Sequence, residues 1–312
     1  MVMKKLISIV TPCYHEEENV EECFKQVQLI FENLPQYDYE HIFIDNGSKD
    51  KTVALLKGIA MVNSQVKIIV NTRNFGWIKS PYYGICQSSG DATILFVCDL
   101  QDPPYMIKEF IEKWEEGHKV VIGVKTQSEE SPLMFRIRRW YYNLINRLSE
   151  TEMIKNYTGF GLYDKRVIDI LRQIDDPYPY FRGLISDIGF DMFRITYAQP
   201  VRRRGVTASN FYRLYDVAML GITNHSKVPL RLATMVGLAV SIFSFLIAVL
   251  YFIYKLVFWS SFSLGIAPLV IGIFFFGAVQ LFFIGIVGEY IGSIHTQVLK
   301  RPLVIEKERI NF

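Results

Sequence analysis

Asp99 and Gln101 have the spacing and the position of ligands for a divalent cation. The five apolar residues 94–98 predict a buried strand that ends before Asp99, and two prolines at 103–104 prevent further strand pairing. Ligands of open parallel α/β sheets bind outside the carboxyl ends of the strands. A carboxylate and an amide oxygen there can hold a cation, which neutralises a departing diphosphate. The alternative is an ordinary turn, since Asp and Pro commonly follow strands.

Acidic or amide residues also follow two other predicted strands. Glu16 lies in the loop after the first strand, and Asp45 with Asn46 closes the second strand. The chain contains neither G-x-G-x-x-G after the first strand nor G-x-x-x-x-G-K-[ST] anywhere. The dinucleotide-binding and P-loop classes are therefore excluded, and the strand-end acids and amides are the candidates for binding and chemistry.

The elements that must position these residues alternate between strand and helix. Apolar runs predict strands, and apolar residues at helical spacing predict helices. The predicted strands are 6–10, 41–44, 66–70, 92–98, 120–124 and 193–197, and the predicted helices are 17–34, 51–62, 76–89 and 104–116, with two more starting near Lys165 and Tyr180. This alternation predicts βαβ units and a parallel sheet, and hence an α/β domain of the nucleotide-binding type.

The bulk composition places limits on function. Half of the 312 residues are hydrophobic, and the formal net charge is only +3, which does not favour a nucleic-acid surface. No pair among the four cysteines has C-x-x-C spacing. We therefore expect reduced structural thiols rather than a zinc site or a redox motif.

Two later segments concentrate basic residues. Segment 132–149, which contains Arg136 and Arg139, mixes arginines with aromatic residues. This mixture is typical of a membrane interface or of a site for a phosphate-bearing ligand, and a solvated basic face is an equal alternative. Three adjacent arginines at 202–204 follow the strand predicted at 193–197. They favour a phosphate clamp over a plain solvated turn.

Two uncharged segments, 232–254 and 266–288, dominate the C-terminal part. Each has 23 residues, whereas a helix needs about 20 to cross the bilayer core. We predict an antiparallel transmembrane hairpin, and its length disfavours the alternative of buried helices in a soluble domain. An amphipathic helix predicted at 211–227 would lie along the bilayer surface. Because positive residues flank the outer ends of the hairpin, we expect both termini and the catalytic domain in the cytoplasm.

The strand-end motifs together resemble the family 2 glycosyltransferases with the GT-A fold. More closely, the chain resembles the polyprenyl-phosphate glycosyltransferases, namely the bacterial GtrB-like enzymes and the dolichyl-phosphate mannose synthases. The likeness covers nearly the whole chain, including the membrane hairpin. The motifs that carry it are 11–17, 44–52, 74–76 and 99–104, followed by Arg182-Gly183, 202–205, 229–232, 288–290 and Arg301-Pro302.

This resemblance implies a site for a sugar nucleotide, a metal ion and a lipid phosphate. The residues implied for the UDP-sugar are Pro12, Tyr14, Glu16, Asp45, Asn74, Gly76 and Asp99. Mg²⁺ or Mn²⁺ would be bound by Asp99 and Gln101. The residues implied for the acceptor phosphate are Arg136, Arg139, Arg202 and Arg204, and those implied for catalysis are Asp99 and Arg202. The family inverts the configuration at the anomeric carbon.

Two positions depart from the family pattern. Val97 replaces the first Asp of the usual D-x-D, so the metal must rely on Asp99, Gln101 and diphosphate oxygens, or bind more weakly. Gly159 replaces the Asp of the usual G-D-F-x-L. A phosphate acceptor is already anionic and needs positioning and cationic stabilisation of the leaving group rather than a base. We therefore predict that no single carboxylate is an essential base.

The resemblance also implies the architecture and location. We expect a Rossmann-like GT-A α/β domain followed by interfacial helices and a two-helix transmembrane hairpin, in a multi-pass protein of the bacterial inner (plasma) membrane. The expected divisions are a GT-A domain at 1–210, an amphipathic helix at 211–230, two transmembrane helices within 231–290 and a cytoplasmic tail at 291–312. Glycines in the second span allow packing within one hairpin or within a homo-oligomer.

The favoured function is the inverting transfer of a hexose, with glucose preferred, from a UDP-sugar to undecaprenyl phosphate on the cytoplasmic leaflet. The product would be a lipid-linked sugar donor for modification of cell-envelope glycans. One alternative is a processive polysaccharide synthase, for which Arg139-Trp140 is a near miss to Q-x-x-R-W. The other is a catalytically inactive scaffold that binds sugar nucleotides, as Val97 and Gly159 would allow.

Overall fold

One eight-stranded sheet forms the centre of the fold. The computed structural model describes residues 4–126, 154, 156–199, 219, 228–258 and 266–312. The strands described are β1 (Lys5–Cys13), β2 (Tyr37–Asp45), β3 (Val66–Asn71), β4 (Ala92–Leu95), β5 (Val120–Lys125), β6 (Tyr157–Asp164), β7 (Met192–Tyr197) and β8 (Glu306–Ile310). The helices described are α1 (Val20–Glu32), α2 (Thr52–Val62), α3 (Lys79–Cys86), α4 (Met106–Glu115), α5 (Lys165–Gln173), α6 (Phe181–Ile188), α7 (Val228–Val257) and α8 (Ile266–Leu299).

The centre of the sheet confirms the predicted βαβ units. The strand order is β7-β5-β6-β4-β1-β2-β3-β8, and β4, β1, β2 and β3 pair in parallel. Ile7, Ile9 and Val10 of β1 are fully buried because helices cover both faces of the sheet, which explains why such strands are almost continuously apolar. The strand predicted at 92–98 is shorter in the structure, where β4 ends at Leu95.

Two antiparallel strands correct the prediction of a parallel sheet. β6 pairs antiparallel with β4 and β5, and β8 pairs antiparallel with β3. Neither strand follows from the sequence pattern, because Gly159 and Gly161 interrupt β6 and β8 is almost entirely charged. A Cβ at Gly161 would lie 2.5 Å from the Val121 carbonyl oxygen, so glycine allows β6 to pair closely with β5.

The hydrophobic core has two layers, one on each face of the sheet. Helices α1, α2 and α4 cover one face, and α3, α5 and α6 cover the other. Representative residues of the first layer are Phe24, Phe43, Leu56, Ile94 and Phe110, and those of the second are Ile44, Tyr82, Leu95, Ile122 and Leu171. The two layers hold the central strands rigidly, and their ends therefore offer fixed positions for the loops that follow.

Helices α7 and α8 are long, apolar and exposed. The stretch Val228–Ile247 has a mean hydropathy of 2.0 with 0% of it buried, and Phe275–Leu299 has a mean hydropathy of 1.6 with 6% buried. Both helices are long and apolar enough to cross a membrane, and they contact each other. Their exposure disfavours the alternative of core helices in a soluble domain. The basic segment 132–149 and, apart from Met219, the amphipathic helix predicted at 211–227 lie outside the described residues.

Candidate active site at the carboxyl ends of the central strands

The ends of four neighbouring parallel strands bring the predicted site residues together. β1 lies between β4 and β2, and β3 lies beyond β2. Because these strands are parallel, the loops after them share one edge of the sheet. From these loops and the last residues of the strands come Pro12, Tyr14 and Glu16 (β1), Asp45 (β2), Asn74 and Gly76 (β3), and Asp99 and Gln101 (β4).

Asp45 offers a buried acceptor to a ligand. Its Oδ2 accepts the N–H groups of Gly47 and Ser48, each at 3.0 Å. Its Oδ1 is buried and has no hydrogen-bond partner within the described residues. Burial raises the pKa of Asp45, although the hydrogen bonds from Ser48 and Gly47 oppose this effect. An N–H of a bound heterocycle is the kind of donor that this oxygen lacks.

A network of amides joins the loop after β2 to the loop after β3. Asn46 Nδ2 donates to Asn74 Oδ1 at 2.9 Å and to the Gly76 carbonyl at 3.1 Å, and Asn46 Oδ1 accepts the Phe75 N–H at 2.9 Å. Gly76 has φ +94° and Gly47 has φ +78°, so both turns use backbone that favours glycine. Asn74 and Gly76 are therefore held beside Asn46, the residue that follows Asp45 at the end of β2.

The loop after β1 is fastened to the loop after β2. The His15 N–H donates to Ser48 Oγ and the Glu16 N–H donates to Thr52 Oγ1, both at 2.9 Å. The Glu16 carboxylate accepts from Asn19 Nδ2 at 2.6 Å, so part of its hydrogen-bonding capacity is used within the loop. Tyr14 is 43% exposed at this edge and is available to stack on a planar ligand.

A cavity of about 170 Å³ lies beside the end of β4. Asp99, Gln101 and Val97 line it, together with Lys125 of β5. Asp99 Oδ1 accepts the Gln101 N–H at 3.1 Å, and Leu100 between them has φ +55°. This tight turn places the carboxylate and the amide at the same cavity.

Asp102 is a further acid at this cavity that received no role from the sequence pattern. It is 3% exposed, and the Tyr197 hydroxyl donates to its Oδ1 at 2.6 Å. Burial raises the pKa of Asp102 to about 6, while the Tyr197 hydrogen bond and the positive charge of Lys125 lower it. Tyr197 is 95 residues away in the chain, so only the paired strands β5 and β7 bring it to the site. The sequence signal that could have indicated Asp102 is its place as the second acid of the motif Asp-Leu-Gln-Asp at 99–102.

The oxygen atoms of Asp99 and Gln101 suit a hard divalent cation, but only if a bound ligand supplies further oxygens. Carboxylate and amide oxygens are the ligands that Mg²⁺ and Mn²⁺ prefer, and Asp99 and Gln101 supply one of each. Among the described residues no group of three or more His, Cys, Asp or Glu could hold a metal. Val97 supplies no oxygen. The residues present therefore fit a cation that is also bound by phosphate oxygens, as the departure at Val97 predicts.

Gly159 could not be replaced by an acid without strain. Its φ is +104°, and a Cβ would lie 3.2 Å from Leu95 Cδ2. The Gly159 carbonyl also accepts the Tyr163 hydroxyl at 2.6 Å, which fixes the backbone here. Glycine at this position is therefore part of how β6 is built. The predicted acceptor ligands Arg136, Arg139, Arg202 and Arg204 lie outside the described residues.

Comparison with known proteins identifies relatives along almost the whole chain. The sequence profile described as Glycosyl transferase family 2 matches residues 8–171. The SfII prophage-derived bactoprenol glucosyl transferase of Shigella flexneri is 34% identical over 303 residues, which are 97% of each chain. The prophage bactoprenol glucosyl transferase homolog of Escherichia coli K12 is 32% identical and spans 96% of this chain and 98% of its own. A similar solved structure is mannosyl-3-phosphoglycerate synthase from Rubrobacter xylanophilus, with 13% identity, 69% and 71% coverage and a TM-score of 0.47.

Proposed function

The chain belongs to glycosyl transferase family 2, and we propose that it transfers glucose from UDP-glucose to the phosphate of a polyprenyl carrier, with inversion at the anomeric carbon. The predicted family and the GT-A α/β fold class are confirmed. The chain is a glycosyltransferase, and its relatives support glucosyl transfer to a polyprenyl phosphate. The observation that carries the proposal is the 34% identity to a bactoprenol glucosyl transferase over 97% of both chains.

The geometry supports a nucleotide sugar as the donor. The unpartnered Oδ1 of Asp45 would accept an N–H of the base, and the Asn74–Gly76 loop would border the nucleoside. Asp99 and Gln101 at the cavity would hold Mg²⁺ or Mn²⁺. When bound, the cation neutralises the charge that develops on the departing diphosphate. The sugar would then occupy the cavity beside β4, between the diphosphate and the acceptor.

The acceptor chemistry accounts for the missing acid at position 159. A phosphate oxygen attacks directly because it is anionic near neutral pH, so a single displacement inverts the anomeric carbon without a base. The cations proposed to hold this phosphate are Arg136, Arg139, Arg202 and Arg204, and Arg202 is also proposed to act in catalysis. We therefore retain the proposal that no single carboxylate acts as an essential base, Asp102 included.

The location of the C-terminal strand supports a membrane hairpin with both ends on one side. Two apolar helices and relatives that act on bactoprenol indicate membrane association. After α8 the chain returns to the sheet as β8 and pairs with β3. If α7 and α8 span the bilayer, the sheet and the C-terminus therefore lie on the same side, and flanking positive residues favour the cytoplasm. In this arrangement the GT-A domain at 1–210 would lie on the cytoplasmic side, and the spans within 231–290 would cross the bilayer.

A transfer assay with the full-length protein tests this function. Purified protein receives labelled UDP-glucose, Mg²⁺ and undecaprenyl phosphate, and the lipid fraction is separated by thin-layer chromatography. We expect one product that carries a single glucose and that disappears on chelation of the metal. A long polymer would instead favour a synthase. Donor binding without any product, across a panel of nucleotide sugars, would favour an inactive scaffold.

The variant Asp99→Asn adds a residue-level control to this assay. We expect it to lower kcat by about 100-fold or more, as for loss of a preorganised group that stabilises developing charge. The matched variant Glu21→Gln removes an exposed acid of α1 and should leave the rate unchanged. Equal rates for the native protein and Asp99→Asn would contradict the placement of the metal.

A further inference from the structure

Three basic residues lie near the point where the chain leaves α8 and passes the loop after β3. Arg73 lies in that loop, Lys79 is the first residue of α3, and Arg301 lies two residues beyond α8. The Thr72 N–H donates to the Ile305 carbonyl at 2.9 Å and fastens the two segments together. Burial, followed by the positive charges of Arg73 and Arg301, lowers the pKa of Lys79. We call these three residues the α8 basic cluster.

The acids beside the α8 basic cluster are engaged with other groups. Asp175 forms an ion pair with Lys300, with Oδ2 and Nζ 3.1 Å apart. The Asp176 Oδ1 accepts from Gln297 Nε2 at 2.8 Å, and its charge only partly offsets the effect of the two arginines on Lys79. No salt bridge within the described residues joins an acid to any member of the cluster. Within the described residues, the acids beside the cluster therefore offset only part of its positive charge.

Aromatic rings lie beside two members of the α8 basic cluster, Arg73 and Lys79. The Lys79 ammonium lies 5.3 Å from the centre of the Tyr178 ring, and the Arg73 guanidinium lies 4.0 Å from the centre of the Phe75 ring. Trp77, between Arg73 and Lys79 in the chain, is 53% exposed. A combination of basic and aromatic residues is typical of the level of lipid head groups.

The apolar surface of α8 continues almost to the cluster. Ile291, Ile294 and Val298 lie on one face at spacings of three and four residues, and they are 59%, 59% and 73% exposed. Arg301 follows within one turn. An exposed apolar helix face that is followed by a basic residue places that residue where lipid phosphates lie.

We propose that the α8 basic cluster binds a phosphate group carried by a membrane lipid, at a site separate from the donor site. Arginine presents a planar fork that suits phosphate oxygens, and lysine adds a compact charge. The lipid is either an anionic phospholipid of the bilayer or the polyprenyl phosphate awaiting transfer, because both present an anionic phosphate at the membrane surface. The site does not depend on the proposed donor or on turnover.

Lipid binding by the full-length protein in an uncharged detergent tests the proposal. The probes are dioctanoyl-phosphatidylglycerol, farnesyl phosphate and, as a zwitterionic comparison, dioctanoyl-phosphatidylcholine, and the Kd comes from thermal stabilisation. The test variant combines Arg73→Gln, Lys79→Gln and Arg301→Gln. The matched control combines Lys25→Gln, Lys165→Gln and Arg166→Gln, which removes the same charge from exposed positions elsewhere.

We expect the test variant to bind one or both anionic lipids at least about 10-fold more weakly, since each cation near an anionic surface contributes about fivefold. The control variant should remain within about twofold of the native Kd, and phosphatidylcholine should bind weakly to all. Weakening confined to phosphatidylglycerol identifies a bilayer lipid, and weakening confined to farnesyl phosphate identifies the acceptor. An unchanged Kd for both lipids overturns the proposal.

UDP binding by a double variant separates this site from the donor site and from misfolding. We expect the UDP Kd of the double variant Lys79→Gln, Arg301→Gln to stay within about twofold of native, because the contact from the cluster to the Asn74–Gly76 loop is made by Arg73, which donates to the Asn74 carbonyl at 3.0 Å. If UDP binding by this double variant weakens as much as its lipid binding, the proposal is overturned. If the triple variant does not fold, Lys79→Gln should still weaken lipid binding by about fivefold and Lys79→Arg should retain it. A single variant without effect overturns the proposal as well.

Discussion

The two carboxylate oxygens of Asp45 differ in their hydrogen bonding. Oδ2 accepts the N–H groups of Gly47 and Ser48, whereas Oδ1 is buried without a partner within the described residues. A buried acceptor without a partner costs about 1–3 kcal/mol, so a ligand N–H that reaches it recovers this energy. The ring N3–H of uracil has the required polarity. Cytosine presents a bare ring nitrogen at that position, which would repel the carboxylate.

We expect Asp45→Asn to reduce the preference for uridine over cytidine nucleotides. The amide oxygen would keep the contacts to Gly47 and Ser48, so the amide –NH₂ would face the base and repel an N3–H. UDP binding should weaken by about 10-fold to 100-fold, as for loss of a hydrogen bond to a charged group, while CDP binding should hold or improve. Calorimetric titration with both nucleotides measures the ratio. Asp38→Asn, at the exposed start of the same strand, is the control, and equal losses for UDP and CDP would contradict the assignment.

His41 links folding stability to pH. Its ring lies between Phe24 and Phe43, and its Nε2 forms a hydrogen bond with Thr11 Oγ1 at 2.9 Å. Burial lowers the pKa of His41 to about 3, whereas histidine in an unfolded chain titrates near about 6.5. Between these values the unfolded state binds a proton that the folded state does not. Stability is therefore full above about pH 6.5 and is lost as the pH falls toward 3.

This linkage predicts a loss approaching about 1.4 kcal/mol per pH unit between pH 6 and pH 4. Thermal unfolding of the detergent-solubilised protein across this range measures it. His41→Gln removes the titrating group, and we expect its midpoint to fall less steeply with acid than the native midpoint. Other carboxylates titrate in both proteins, so the difference between the two curves isolates His41. Parallel curves would show that His41 does not carry the linkage.

At the scale of elements, the strands that the sequence predicts are those buried on both faces. β1 to β4 are short apolar runs, and their ends carry the polar residues that the site uses. The sequence pattern does not predict β6 or β8, because glycines interrupt β6 and charged residues make up most of β8. The Asp102–Tyr197 contact is not predicted from the sequence for a different reason. It joins two residues that only sheet pairing brings together, and the local pattern of neither residue contains that information.

β6 also explains why restoring an acid at position 159 should fail. With φ +104° and Leu95 Cδ2 only 3.2 Å from an added Cβ, Gly159 is constrained by backbone and by packing. We expect Gly159→Asp to lower the free energy of unfolding by about 1–3 kcal/mol from strain alone and to leave kcat no higher than native. Thermal unfolding and the transfer assay measure both effects.

Gly117 provides the matched control for this substitution. It has φ +107° but nothing within 4 Å of an added Cβ, so Gly117→Asp carries the backbone strain without the crowding beside the cavity. Gly159→Asp should therefore be the less stable of the two variants. A faster transfer by Gly159→Asp would show that an acid at this position increases the rate, and would contradict the proposal that no carboxylate base is required.

At the scale of the whole molecule, the C-terminal end of α8 is tied to the sheet. α7 follows the α/β domain in the chain, and α8 leads into β8, which pairs with β3 at the edge of the sheet. Lys57 of α2 reinforces this attachment through an ion pair with Glu308 of β8, with Nζ and Oε2 2.6 Å apart. If α7 and α8 cross a membrane as a hairpin, the connection between them is the part that reaches the side opposite the sheet.

This arrangement predicts the accessibility of two introduced thiols in intact cells. In a Cys86→Ser background, which removes the one native cysteine that is not fully buried, Lys307→Cys reports on β8 and Ser261→Cys reports on the connection between α7 and α8. A membrane-impermeant maleimide should label position 261 in spheroplasts and position 307 only after permeabilisation, because β8 pairs with the sheet of the domain that we propose to lie in the cytoplasm. The background variant alone should remain unlabelled in both conditions. Labelling of both positions under the same condition would mean that the two helices do not form a spanning hairpin, whatever their apolar length.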